Sequence, residues 1–184
     1  MRSLLFIPLS LIILSFSYCK KNTPSTVQIV IGQQYKGGLV AYVDASGQHG
    51  LIASNADLTP MSVWGCQGTL IGTSTIYGQG KINTDKIVSG CPDVNAAAKK
   101  CFDLIQDGYN DWFLPSLDEL QLLYNNLHLK GQGNFVSSVY ASSTESNDIT
   151  WGPAINIMRL DFGPGYTSGT PKQGTYYVRA VRYF

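Results

Sequence analysis

The chain has 184 residues, with 13 Lys and Arg against 12 Asp and Glu, 44% apolar residues and 14% charged ones. That length suits one domain with a core of its own, and the apolar share excludes a disordered tail. A near-zero net charge without a Lys/Arg stripe also excludes the electrostatic footprint of a nucleic-acid binder.

In chain order, Arg2 is followed by an apolar run from Leu4 to Ile13 that tails through Tyr18 to Cys19 and the polar Lys20-Lys21-Asn22-Thr23. The pattern is that of an export signal, and the run falls short of the roughly 20 residues a membrane-spanning helix needs. A cysteine just behind the apolar stretch matches a bacterial lipoprotein signal. Residues 1–18 are then the leader, Cys19 the lipidated residue, 19–28 the tether and 29–184 the domain. Phe16 and Tyr18 are bulkier than usual before such a cysteine, so ordinary secretion or an uncleaved anchor stays open. The expected location is the outer membrane or cell surface, held by acyl chains that each contribute about 0.8 kcal/mol per buried methylene; a periplasm-facing position stays open.

Residues 38–44 and 50–54 are β-rich runs around the loop 45–49, which predicts a hairpin. The stretch 55–92 reads as a long loop pinned by Trp64, by a disulfide and by short helical turns. Cys66 and Cys91 sit in Trp64-Gly65-Cys66-Gln67-Gly68 and Ser89-Gly90-Cys91-Pro92, which makes them the preferred pair in an oxidising compartment. A helix is expected over 93–106, with Val94, Ala97, Cys101, Leu104 and Ile105 on one stripe and Cys101 a buried small hydrophobe. No close-spaced Cys/His set suggests zinc.

Ser116 and Glu119 have capping-box spacing, and Leu117, Leu120, Leu123, Tyr124 and Leu127 repeat at helical intervals, which predicts a second helix over 116–127. Trp112, Phe113 and Leu114 just before it read as core anchors. Strand-like pieces follow at 139–143, 149–157 and 176–184. Strands, helices, then strands is an α+β order and not the alternation of a parallel sheet.

Trp64-Gly65-Cys66, Ile82-Asn83-Thr84, the Ala96-Ala97-Ala98…Cys101 helix, 108–120 (Gly-Tyr-Asn-Asp-Trp-Phe-Leu-Pro-Ser-x-Asp-Glu-Leu), 140–145 (Tyr-Ala-Ser-Ser-Thr-Glu) and 178–182 (Val-Arg-Ala-Val-Arg) stand in this order. The set resembles the C-terminal domain family of the Legionella collagen-like protein across about 32–184. The resemblance implies a C-type lectin-like fold, with two mid-chain helices packed on short antiparallel sheets and the N- and C-terminal strands adjacent. It also implies a surface adhesin, the founding member binding sulfated glycans and forming trimers on a collagen-like stalk. This chain has no such stalk, so trimerisation is not carried over. Where relatives place a cysteine this chain has Ala180, which supports a free Cys101, and Ala141 replaces a family tryptophan.

Arg179 and Arg182 lie at odd spacing, so they point to opposite sheet faces, and one of them is expected to pair with a buried carboxylate such as Asp111 or Glu145. Glu145 and Asp148, with Asp107 and Asp111, are the carboxylates available for calcium, but their spacing matches no EF-hand. No nucleophile elbow, zinc-protease or phosphate-loop motif accompanies His49 and His128, so no catalysis and no cofactor are expected. The Gly/Tyr/Ser loop 161–172 gives contact area at little ordering cost, and Trp151, Arg159, Tyr166 and Lys172 are the candidate ligand-binding residues. The bland alternative is a solvated turn between strands. The partner expected is a glycan or a host or envelope protein, with a purely structural envelope lipoprotein as the alternative and a hydrolase far behind.

Overall fold

The computed structural model describes residues 28–59, 61–147 and 150–184. The expected leader, Cys19, the expected tether up to 27 and Asp148 lie outside the described residues. Among the described residues, no helix is long and apolar enough to cross a membrane.

The fold is α+β, with three α-helices and three small antiparallel sheets among the described residues. The predicted hairpin forms: β2 (Gly38–Val43) pairs with β3 (Gly50–Ala53), and the short β1 (Gln34–Tyr35) adds to its outer edge. The short β4 (Ser62–Val63) follows. Helix α1 (Gly80–Gly90) lies inside the stretch expected to be loop. Its inward residues, Gly80, Asn83, Thr84 and Ile87, keep helical spacing, yet only one is a large hydrophobe, so no apolar stripe announces the helix. The polar pair is there to bond loops. Asn83 accepts from Ser74 N and donates to Ser74 O and Ser143 Oγ, and Thr84 Oγ1 accepts from Leu114 N.

Helix α2 is shorter than expected, Ala97–Phe102 instead of 93–106. Ala97 and Cys101 are buried, but Val94 and Ile105 at its expected ends are 72% and 75% exposed. The stripe is therefore cut at both ends. Before the helix an Asx turn forms, Asn95 N donating to Asp93 Oδ1. After it Gln106 and Tyr109 bond each other across a turn with Asp107 and Gly108 at positive φ. Helix α3 (Leu117–Asn126) has the predicted capping box, with Leu117, Leu120 and Leu123 facing inward. Leu127 is buried as well, and the chain leaves through a 3₁₀ turn at His128–Lys130.

The second half builds β5 (Val139–Glu145), β6 (Asn156–Asp161) and β7 (Thr167–Pro171) into a sheet in that order, then β8 (Thr175–Tyr176) and β9 (Val181–Tyr183). β6 begins seven residues later than the sequence suggested. β7 occupies part of the loop expected at 161–172. β8 pairs with β4, and β9 returns to the N-terminal hairpin through β3, which brings the two ends of the domain together. The segment 177–181 bonds β5 and two connecting segments in passing. Ala141 N donates to Tyr177 O, Leu58 N to Val178 O, Ser54 N to Ala180 O and Phe113 N to Val181 O.

The core lies on both sides of this last segment. Trp64, Trp112, Ile87, Cys101, Ile157 and Val178 fill one cluster, and Phe113, Leu120, Leu123, Tyr140, Leu160 and Phe162 the other. Each such large apolar side chain contributes about 1.5–3 kcal/mol on burial. Trp112, Phe113 and Leu114 are core anchors, as read from the sequence. Gly80 lies close against the cap of α3. A Cβ there would stand 2.1 Å from Glu119 Oε2, the oxygen that closes the α3 cap on Ser116 N.

Candidate functional site

The site begins with a buried ion pair. Lys172 and Glu145 are both buried, Nζ lying 2.6 Å from Oε1. The carboxylate also accepts from three successive backbone amides, Ile71 N at 2.8 Å, Gly72 N at 2.6 Å and Thr73 N at 3.1 Å. The ammonium donates to Thr69 O and lies 4.5 Å from the Trp64 ring centre. Trp64 in turn donates from Nε1 to Ser142 O on β5. Burial pushes the Glu145 pKa up, but the bond from Lys172 and those from Ile71 and Thr73 outweigh it and hold it below the usual carboxylate range. Thus two charges satisfy each other and tie the loop 69–73 to β5 and the end of β7.

Two further pairs do the same elsewhere. Arg182 bonds Asp111 through Nε at 2.6 Å and Nη2 at 2.9 Å. Burial raises the Asp111 pKa, but the Arg182 bonds and charge bring it down overall. Arg179 donates from Nε to Asp57 Oδ1 at 2.7 Å, while its Nη1 reaches Ser54 O and Gly133 O. Both arginines are therefore paired; Asp111 was anticipated as a partner and Asp57 was not. Glu145 and Asp111, two of the carboxylates considered for calcium, are each committed to a cation. Among the described residues no three His, Cys, Asp or Glu side chains gather to hold a metal. His49 sits beside Asp44 on the hairpin turn and His128 stacks on Tyr124.

Cys66 and Cys91 form a disulfide, and Cys101 is free and buried. The bridge anchors the turn that carries Gln67 and Gly68, and Gly68 N donates to Ala154 O at 2.9 Å. On the far side, Lys172 N donates to Ile155 O at 2.8 Å. These ties hold three chain segments around an open cleft of about 540 Å³ lined by Gln67, Trp151, Ile155, Asn156, Gly169, Thr170, Pro171 and Gln173. Trp151 is 66% exposed at its edge. Every described lining side chain is uncharged. Three are amides, which donate and accept at one position, beside a flat aromatic; the Thr170 hydroxyl is taken up by Tyr176 Oη at 2.8 Å on the other side of the strand.

The four residues expected to form one face do not meet. Trp151 belongs to the cleft just described. In the β6–β7 pairing Asn156 and Met158 stand opposite Pro171 and Gly169, while Arg159 stands opposite Ser168, so Arg159 points to the other face. There it lines a separate hollow with Asp161, Tyr176 and Tyr177, its Nη1 3.5 Å from Asp161 Oδ2. Tyr166 is 73% exposed on the turn entering β7 and lines neither hollow. Lys172 is corrected outright. Read from the sequence as the last residue of an exposed loop, it is fully buried, because it directly follows β7 beside Glu145 and its ammonium needs that carboxylate.

Sequence reasoning missed Gln67, Asn156 and Gln173. Only Gln67 carried a local signal, standing beside a cysteine in a Gly-flanked turn; the other two reach the cleft through strand register. No family model matches the chain, and no characterised protein matches it significantly in sequence.

Proposed function

We propose that this chain is an exported, lipid-anchored recognition protein whose domain, C-type lectin-like in its arrangement, binds a glycan at the cell surface or envelope and does no chemistry. The observation that carries the reading is the Trp151 cleft. An exposed indole lines a concavity together with three amides, and the walls are held by a disulfide and two backbone hydrogen bonds between chain segments. A sugar ring offers an apolar C–H face for the indole and hydroxyls for the amides. Pre-formed walls spare the ordering cost that weakens binding by mobile loops. The apolar leader ending at Cys19 and the resemblance to the Legionella collagen-like C-terminal domains support the same reading.

The test is a glycan array probed with the full chain in detergent, with and without calcium, beside Trp151→Ala. Binding by the parent that is lost in the variant is the expected result; silence of the parent across the array refutes the reading. A protein ligand is the second reading. It is favoured by β7, an edge strand whose outer backbone groups can take an added strand. Binding of that kind would survive Trp151→Ala and fail when β7 is altered.

A further inference from the structure

The lining of the Trp151 cleft also says which sugars fit. This inference rests on the glycan reading and narrows it. None of the eight lining residues carries a charge. The nearest cation in sequence, Lys172, is not among the lining residues, and its ammonium is buried against Glu145, Thr69 O and the Trp64 ring. Arg159, one strand position from Asn156's neighbours, faces the opposite side and the Asp161 carboxylate. A sulfate or uronate entering the cleft would lose hydration with no cation among the described lining residues to replace it, which is costly for an ion. A neutral hydroxyl loses far less, and the amides of Gln67, Asn156 and Gln173 both donate to it and accept from it. We propose that the cleft takes an uncharged saccharide, one pyranose face lying on Trp151 and its hydroxyls bonded by these amides.

Tryptophan fluorescence isolates the site. Trp64 and Trp112 are 0% and 1% exposed, so among the described tryptophans only Trp151 meets an aqueous quencher. The experiment uses the full chain in detergent, with iodide as quencher and two kinds of probe: neutral oligosaccharides (a gluco-, a manno- and an N-acetylglucosamine trimer) and heparin oligosaccharides. The expected result is that at least one neutral trimer protects Trp151 from iodide and shifts its emission. Heparin fragments leave both unchanged, and neutral binding keeps its strength in high salt. Truncating an aromatic anchor that is covered on binding costs about 30-fold or more in affinity, so Trp151→Ala should lose at least that much by calorimetry. Gln173→Glu, which adds a negative charge at the rim, should leave the fold intact by its melting curve and lower neutral binding only severalfold.

Three results would overturn the inference. Heparin fragments alone protecting Trp151 would leave glycan recognition standing and reverse the ligand class. Neutral trimers binding equally to Trp151→Ala would move the site elsewhere. No saccharide of either kind binding would remove this inference together with the glycan reading beneath it.

Discussion

Replacing Lys172 by Met removes an ammonium that is fully buried while keeping most of its volume. Glu145 is then left as a buried carboxylate with only the three amides of residues 71–73. Removing one partner of a buried pair costs about 3–5 kcal/mol, because the remaining charge is desolvated without compensation. For a domain of this size 1 kcal/mol moves the melting midpoint by about 2–4 °C, so Lys172→Met should melt roughly 6–20 °C below the parent. The assay is a double-mutant cycle with Glu145→Gln, followed by calorimetry or urea denaturation. Both positions share one hydrogen-bond network and should couple by about 1–3 kcal/mol. The acid limb supplies an independent readout. The folded Glu145 pKa lies below its unfolded value, so the unfolded chain binds more protons between the two. The pair's stabilisation is complete above the unfolded value of about 4.3 and is lost as pH falls through the folded one. Lys172→Met should show a shallower acid loss than the parent. An unchanged midpoint, with additive single substitutions, would refute the claim that this pair holds the loop 69–73 against β5.

Breaking the Cys66–Cys91 bridge by Ala at both positions removes a cross-link across a sequence separation of 25 residues, for which chain entropy predicts a loss of about 3.5 kcal/mol. Urea titration checks it, and because Gln67 follows Cys66 and lines the cleft, the same variant should also weaken saccharide binding under conditions where it remains folded. Burial pushes the Cys101 thiol well above its ordinary range, so iodoacetamide should label it only along the unfolding curve; labelling of the native protein within minutes would contradict its burial. Ser116→Ala removes the hydroxyl that accepts from Glu119 N and should cost about 1 kcal/mol, read as a shift of the urea midpoint with unchanged slope. Trp151→Ala, at a side chain two-thirds exposed, should leave that midpoint within about 0.5 kcal/mol of the parent.

What the sequence alone determined about this protein is whatever is local. The hairpin at 38–53 follows from two β-rich runs around a polar loop. Helix α3 follows from a capping box and a leucine repeat, and the α+β order follows from the succession of such signals. The disulfide was legible because Cys66 and Cys91 both stand in turn-forming surroundings. The tertiary structure alone decided the rest, because the physical cause lies across the fold. Helix α1 presents Asn83 and Thr84 inward, since they bond the loop at Ser74 and the segment before α3 at Leu114, so hydrophobic periodicity has nothing to detect. Lys172 looks like a surface lysine until strand register sets it beside Glu145, 27 residues away in sequence. The alternation of β6 and β7 then divides the residues expected to bind ligand. It sends Arg159 to one face and leaves Trp151 with three amides from three chain segments at the other. A side chain's neighbours along the chain set its backbone preference; which charge it meets, and which cleft it lines, depends on pairings the local pattern does not encode.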